Sequence, residues 1–168
     1  MSNYHLVYRP FLMFFVVFLI SCNKAKYEPV DFNVRIKSID DDILQLFYVD
    51  DPRLSYTDSL LIRKKISGDD EFQNITFKIA SEKQVLRLRF DIGEKGLNSN
   101  IIIESINIIS GDKSILINQN NLHRFLKSNI YIQTKDFKSF KRDSINGKYD
   151  PFFLSKALLE KKMQIEFR

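Results

Sequence analysis

The sequence contains no tryptophan, one cysteine, five glycines and four prolines among its 168 residues. A single cysteine excludes an intramolecular disulfide framework, a cysteine-based zinc site and a CxxC redox pair. The scarcity of glycine and proline excludes a collagen-like repeat, and a hydrophobic content of 44% excludes a disordered chain. A chain of this length and composition is expected to form one packed domain.

Motifs of catalysis and cofactor binding are also missing. The sequence has no GxSxG elbow, HExxH motif, P-loop or GxGxxG loop. Only one of the two histidines, His123, follows the N-terminal apolar run, so a Ser-His-Asp arrangement would have a single candidate base. The asparagines before His123 favour a surface position. We therefore predict a protein that is not an enzyme and that binds no metal ion.

The N-terminus contains an uninterrupted apolar run, FLMFFVVFLI, at residues 11–20. It follows Arg9 and ends at Ser21 and Cys22, which is the layout of a secretory signal peptide. Ten residues rise about 15 Å as a helix, too short for a bilayer core of about 30 Å. We predict that residues 1–21 are a cleaved signal peptide and not a membrane-spanning anchor.

The tetrapeptide Leu19-Ile20-Ser21-Cys22 resembles the lipobox of bacterial lipoproteins. This resemblance implies cleavage between Ser21 and Cys22, a diacylglycerol on the Cys22 sulfur and acylation of the new amino terminus, for example by palmitate. Two or three acyl chains anchor a protein stably, whereas one binds only marginally. The alternative is a free cysteine after a cleaved signal. Residues 22–30 would form a lipidated tether, and no cofactor is expected besides the covalent lipid on Cys22.

The abundance of Ile, Lys and Asn resembles the composition of Bacteroidota lipoproteins. In that group an acidic run after the cysteine resembles a surface-export signal, and residues 23–26, Asn-Lys-Ala-Lys, contain no acid. The resemblance therefore implies a lipid-anchored protein of the cell envelope, in the outer membrane and facing the periplasm. Nucleic acid is not an expected partner in that compartment.

An alternation of apolar and polar residues with period two dominates residues 31–168, which we assign to one domain. Residues 101–109 are apolar on both parities, which predicts a central strand covered on both faces. A helix of one or two turns is predicted at 120–128, while 150–163 suits either a helix capped by Asp150 or a hairpin. The fold class is all-β, an antiparallel β-sandwich with one or two short helices. The predicted strands cover residues 32–36, 43–49, 60–66, 75–79, 86–92, 101–109, 114–118, 129–134 and 163–167.

Three segments carry a further resemblance. They are DDDILQLFYVDD at 40–51, LRLRFDIGEKG at 86–96 and IIIESINI at 101–108. Their order is similar to that in a jelly-roll module of bacterial cell-envelope proteins, which sometimes accompanies glycosyltransferase domains and resembles carbohydrate-binding sandwiches. The resemblance implies a jelly-roll-like fold and carries less information about function.

Sugar-binding surfaces combine aromatic faces with planar hydrogen-bonding groups, and tyrosine would have to replace the absent tryptophan here. The polar side of the strand at 86–92 also presents two arginines and a carboxylate in a row. The alternative is a solvated sheet face with cross-strand ion pairs. The candidate ligand-binding residues are Tyr48, Tyr56, Arg87, Arg89, Asp91 and Tyr131, with Tyr149 as a further aromatic.

Two kinds of charged run complete the sequence pattern. The acidic runs at 40–42 and 69–71 lack EF-hand spacing, so they are predicted to be solvated strand ends and not calcium ligands. The basic segment KDFKSFKRDSINGK at 135–148 interleaves Phe137 and Phe140 with cations. It predicts either contact with anionic headgroups or acidic polymers, or a solvated loop.

Together these features predict a membrane-anchored envelope lipoprotein that acts as a non-catalytic binding module. A glycan or cell-wall polymer is the first expectation for its ligand. The alternative is a protein-interaction or accessory subunit of an envelope assembly, and a hydrolase comes third because the catalytic motifs are missing.

Overall fold

The computed structural model describes residues 27–57, 60–80, 82–95 and 99–168. The predicted signal peptide at 1–21 and the predicted lipidation site Cys22 lie outside the described residues. The first strand begins at Val30, one residue before the predicted start of the domain. Within the described residues the strands are β1 (Val30–Ser38), β2 (Asp42–Val49), β3 (Leu61–Ile66), β4 (Asp69–Ile79), β5 (Arg87–Asp91), β6 (Asn100–Ser110), β7 (Lys113–Asn118), β8 (Leu126–Ser128), β9 (Ile132–Gln133), β10 (Ser139–Arg142) and β11 (Phe152–Ser155), and the helices are α1 (Leu122–Phe125) and α2 (Ala157–Glu166).

The strands form two antiparallel sheets. Sheet A has the order β4-β1-β6-β10-β9, and β7 also pairs with β6. Sheet B has the order β3-β2-β5-β11-β8. The chain crosses repeatedly from one sheet to the other, so residues distant in sequence become neighbours. The predicted fold class, an all-β antiparallel sandwich with short helices, is confirmed.

The apolar face of each sheet is buried against the other, because side chains alternate between the two faces of a strand. Phe32 of β1 and Phe77 of β4 contact Phe90 of β5, with ring centroids 5.4 and 5.9 Å apart. Phe140 of β10 meets Phe153 of β11 edge to face at 5.1 Å. The core cluster lies within residues 30–167, so Val30, the last residue of the predicted tether, belongs to the domain.

Strand β6 is central in sheet A, as predicted, but its two faces are not both buried. The register against β1 shifts between Arg35 and Ile36, which leaves Glu104 as an extra residue in β6. This bulge reverses the parity of the strand. Isoleucines on both parities therefore face the same core, while Ile102 and Ile109 stay partly exposed on the outer face. The buried isoleucines of β6 are Ile101, Ile103, Ile106 and Ile108.

The strand predicted at residues 163–167 is wrong, because this segment belongs to helix α2 and its C-terminus. Met163 and Phe167 are buried together with Leu159, a spacing of four residues that matches one helix face. Ile165, which would share their face in a strand, is 62% exposed. This segment is therefore a helix and not a strand because burial of one helical face stabilises it.

Two further predictions are corrected around the same end of the chain. The strand predicted at 129–134 is interrupted, and only Ile132–Gln133 pairs, as β9. Residues 150–163 form neither one helix nor a hairpin, because β11 pairs with β5 and β8 before helix α2 begins at Ala157. Helix α1 confirms the short helix predicted within 120–128.

The acidic run at 40–42 is not uniformly solvated. Asp41 is exposed and accepts the backbone N–H of Gly68 at 2.6 Å. Asp42 begins β2 on the parity that faces the core, and it is only 1% exposed. The prediction of a solvated strand end is therefore wrong for Asp42.

Candidate functional site

The outer face of sheet B carries the predicted row Arg87, Arg89 and Asp91. Cross-strand pairing places Phe47 of β2 opposite Arg89 and Phe152 of β11 opposite Asp91. Paired residues of antiparallel strands share a face, so aromatic and charged side chains alternate across three strands here. The strand register thus builds a compact aromatic and ionic surface.

Arg89 is the centre of this surface. Its guanidinium donates to both carboxylate oxygens of Asp91, at 2.8 and 2.7 Å, and to Asp150 at 2.5 Å. The same group lies 3.9 Å from the centroid of the Phe152 ring and 5.2 Å from that of Phe47. A planar guanidinium suits this combination of bidentate bonding and stacking. Arg89 therefore fixes the positions of Asp150 and Phe152.

Asp91 lies beneath this arrangement and is 5% exposed. Burial raises the pKa of its carboxyl group, because desolvation disfavours the charged form, and the hydrogen bonds from Arg89 limit that rise. Its two oxygens are both engaged by Arg89. Asp91 is thus a partner of Arg89 within the sheet surface and not an exposed ligand group.

Tyr56 and Arg87 lie on the same face and hold the loop that follows β2. The Tyr56 hydroxyl donates to the carbonyl of Leu88 at 3.1 Å, and burial raises its pKa. Arg87 donates to the carbonyl of Leu54 at 2.6 Å, and its guanidinium lies 6.0 Å from the Tyr56 ring centroid. These contacts attach the loop to the sheet.

Tyr48 does not join the other candidates. It pairs with Leu88 on β5, so it lies on the parity of the core-facing residues and packs against the core. Desolvation raises the pKa of its phenol, with Asp50 adding to the effect. The structure therefore separates Tyr48 from the row of Arg87, Arg89 and Asp91 by the thickness of sheet B.

Tyr131 lines a cavity of about 560 Å³ beside the Arg89 surface. One wall is the segment from β8 towards β9, and the other is the start of β11. Asp150, which Arg89 holds, and Phe152, on which Arg89 stacks, both belong to the second wall. The cavity and the Arg89 surface are therefore one continuous site. Its lining residues are Lys127, Ser128, Asn129, Ile130, Tyr131, Asp150, Phe152 and Leu154.

Asn129 connects the two walls of this cavity. Its side-chain amide donates to the carbonyl of Asp150, and its backbone N–H donates to the carbonyl of Phe152 at 3.0 Å. Its side-chain oxygen accepts the backbone N–H of Tyr131 at 3.2 Å. The walls are thus braced by hydrogen bonds, and the cavity does not require a rearrangement in order to form.

Sequence reasoning missed Asn129, Asp150 and Phe152 as site residues. The sequence Asp150-Pro151 is typical of a helix cap, and the local pattern gives Phe152 no polar neighbour that would mark it as a site residue. The available signal was the aromatic pair at 152 and 153, whose alternating parity places Phe153 in the core and Phe152 outside. The remaining candidates, Tyr149 and the acidic run at 69–71, lie outside this cavity's lining.

Within the described ranges, no three His, Cys, Asp or Glu side chains come together in a way that could hold a metal ion. His123 is exposed, as predicted. Among the residues that the structure describes, no helix is both long enough and apolar enough to cross a bilayer. No protein-family model matches the chain, and neither a curated protein nor a solved structure matches it.

Proposed function

We propose that this protein is a lipid-anchored, non-catalytic binding module of the cell envelope whose ligand is a glycan or cell-wall polymer. The observation that supports this ligand class is the cavity that contains Tyr131 and Phe152 together with Asp150 and Asn129. Small-molecule sites are concave and mostly apolar, with a few placed polar groups, and this cavity has that composition. Its volume of about 560 Å³ suits a unit of one or two sugars.

The chemistry of the walls fits a sugar ring. The apolar face of a pyranose can lie on Tyr131 or Phe152, while its hydroxyl groups need acceptors and donors at the edge. Asp150 supplies a charged acceptor, and Lys127 and Ser128 supply donors. Because Arg89 already holds Asp150, the acceptor is oriented before the ligand arrives.

The same geometry argues for binding and not for hydrolysis. A glycosidase needs two carboxyl groups that are free to exchange protons across the scissile bond. Asp91 and Asp150, the two carboxylates of this site, are both ion-paired with Arg89. Both carboxylates accept hydrogen bonds from the same Arg89 nitrogen, an arrangement that suits a structural and binding role.

Anchoring and location are proposed from the sequence. The lipobox-like Leu19-Ile20-Ser21-Cys22 supports lipidation of Cys22, and residues 23–26 without an acid support a periplasmic orientation at the outer membrane. Because Val30 is the first residue of β1, the tether would end before it and would leave the sandwich free to reach polymer near the leaflet.

The test is retention of residues 23–168 on polysaccharide isolated from the envelope. The wild-type chain should be retained, and Tyr131→Ala should lose most of the retention. Tyr27→Ala is the control, because Tyr27 is another partly buried tyrosine but lines a different cavity. Equal retention of all three chains, or of none, would reject the glycan site.

A second candidate function, an accessory subunit that binds another envelope protein, is favoured by Ile130. This side chain is 71% exposed at the edge of the cavity, where a protein partner could cover it together with the apolar wall of the cavity. Crosslinking in membranes distinguishes the two functions. One stoichiometric protein partner, lost in Ile130→Ser, together with no retention on polysaccharide, would establish the second function in place of the first.

A further inference from the structure

The turn between β9 and β10 presents an aromatic ring, Phe137, at the surface, where one side of it packs on the His123 ring with the centroids 5.3 Å apart. Phe137 is 41% exposed and has a φ of 57°. This left-handed conformation is uncommon for a bulky residue. Among residues other than glycine, Asn and Asp adopt it most readily. Phe140, three residues later in the same basic segment, is fully buried. The two phenylalanines singled out in the sequence therefore have different roles, one in the core and one at the surface.

Hydrogen bonds within the turn fix this presentation. The Phe137 N–H donates to the Thr134 hydroxyl at 3.0 Å. One oxygen of Asp136 accepts the N–H groups of Lys138 and Ser139, at 2.9 and 3.1 Å. These backbone bonds hold the pKa of Asp136 below its ordinary value. The one acid of the turn is thus engaged by the turn's own backbone.

Two lysines flank Phe137 in the sequence of the turn. Lys135 and Lys138 are exposed on either side of Phe137, and neither forms an ion pair within the part of the chain that the structure describes. A cleft of about 380 Å³ opens next to the turn, and its lining residues are Asn100, Gln133, Thr134, Lys135, Asp136, Ser139 and Lys141. Lys141 also pairs with Asp143 at 2.9 Å. Ammonium and hydroxyl donors of this kind suit a phosphate oxygen.

We propose that this surface, defined by Lys135, Phe137 and Lys138 with the adjoining cleft, docks on the anionic phospholipid headgroups of a membrane. The aromatic ring would enter the interfacial layer while the two ammonium groups contact headgroup phosphates. Charge complementarity supports this occupant, because residues 95–168 carry 13 basic and 7 acidic residues. A partly exposed aromatic residue beside two exposed lysines also favours a bilayer over a free anion, because only a bilayer offers an apolar layer to the ring.

This docking is a property of the folded domain and goes beyond the proposed lipid anchor. It concerns a face of sheet A and its edge, whereas the proposed glycan cavity belongs to sheet B and the β8–β9 segment. The experiment therefore uses residues 23–168 without lipid, a chain that contains the whole core cluster. Failure of vesicle binding would not reject the glycan proposal, and failure of polysaccharide binding would not reject the docking proposal.

The measurement is co-sedimentation with vesicles of phosphatidylcholine alone and of phosphatidylcholine mixed with phosphatidylglycerol. The wild-type chain should bind the mixed vesicles and not the neutral ones. Lys135→Gln/Lys138→Gln should weaken partitioning roughly thirtyfold. Phe137→Asn should weaken it about tenfold. Asparagine tolerates the left-handed conformation, and Tm is measured alongside because the substitution also removes the ring's contact with His123.

A matched control removes the same charge elsewhere. Lys64→Gln/Lys65→Gln, on the exposed edge strand β3 of the other sheet, should bind mixed vesicles within about twofold of wild type. Equal losses in both double variants would show a net-charge effect and overturn the proposal. So would binding of inorganic phosphate without vesicle binding, which would identify a free-anion site, or the absence of any vesicle binding.

Discussion

Arg142 of β10 and Asp42 of β2 form an ion pair across the two sheets, with 2.5 Å between Nη1 and Oδ2 and both side chains 0% exposed. The remaining groups are also engaged. Arg142 donates to the carbonyls of Ile92 and Ser99, and the second oxygen of Asp42 accepts the backbone N–H groups of Glu94 and Lys95. A buried charge pair is tolerated only when such bonds replace water.

Removing one partner of this pair is expected to be costly. Asp42→Asn should lower the free energy of unfolding by about 3–5 kcal/mol, because it leaves the Arg142 charge buried without a counter-charge. Urea unfolding measures the change. Asp40→Asn, two residues earlier and outside the core, should stay within about 0.5 kcal/mol of wild type.

The double variant Asp42→Leu/Arg142→Met provides the complementary result. Removing both charges together should recover most of the stability lost in Asp42→Asn, since no buried charge remains unpaired. A double variant as unstable as the single one would show that the pair's hydrogen bonds to the backbone dominate.

Gly93 lies directly against the ion pair. Its φ is +147°, and an added Cβ would come within 2.5 Å of Asp42 Oδ2 and close to the Arg142 guanidinium. Gly93→Ala should therefore cost about 3 kcal/mol or more in thermal or urea unfolding. Gly147→Ala should cost only about 1 kcal/mol, because φ is +74° there and no atom lies within 4 Å. Similar losses at the two glycines would contradict the close packing at Gly93.

The raised pKa of Tyr149 makes the stability of the folded protein depend on pH. Burial raises the pKa of its phenol to about 12, against an ordinary value of 10.0, although a hydrogen bond from Arg142 acts in the opposite direction. Between those pH values the unfolded chain releases this proton while the folded chain keeps it, so the contribution to stability is full below pH 10 and declines as the pH rises towards 12. Tyr149→Phe should show a shallower loss over that range, measured by unfolding at each pH, and an unchanged slope would contradict the assignment. Tyr48 and Tyr56, whose pKa values are also raised, are present in both the wild type and Tyr149→Phe, so they contribute equally to the two pH profiles.

Lipidation of Cys22 makes a separate prediction. The wild-type chain should incorporate labelled palmitate and fractionate with membranes, whereas Cys22→Ala should incorporate none and retain its leader. Ser21→Ala is the control, because alanine is also small and should permit processing. A Cys22→Ala chain that is processed normally and remains membrane-bound would contradict the lipoprotein assignment.

The period-two pattern predicts most of the strands because burial of one face is a local signal. It fails where a non-local contact decides. Met163 and Phe167 suit both a strand and a helix face, and only the exposure of Ile165 in the folded protein distinguishes them. In β6 the bulge at Glu104 allows isoleucines of both parities to face one core. The bulge depends on the pairing of β6 with β1, which the sequence of β6 alone does not indicate.

The candidate site was predictable in part for the same reason. The row Arg87, Arg89 and Asp91 follows from alternation alone. Asp150 joins it through an ion pair 61 residues away in sequence, which no local pattern indicates. In the sequence Arg142 belongs to a basic segment, which predicts an exposed side chain, and only its partner Asp42, 100 residues earlier, accounts for its burial.

The most direct test of the binding function is chemical-shift mapping of residues 23–168 titrated with envelope polysaccharide fragments. The proposed cavity predicts saturable shifts clustered at residues 127–131 and 150–154, with smaller shifts at Arg89, which holds Asp150. Asp150→Asn should weaken the affinity about tenfold, since a charged acceptor becomes neutral. Saturable shifts confined to another surface, or no shifts at all, would contradict the assignment of this cavity as the glycan site.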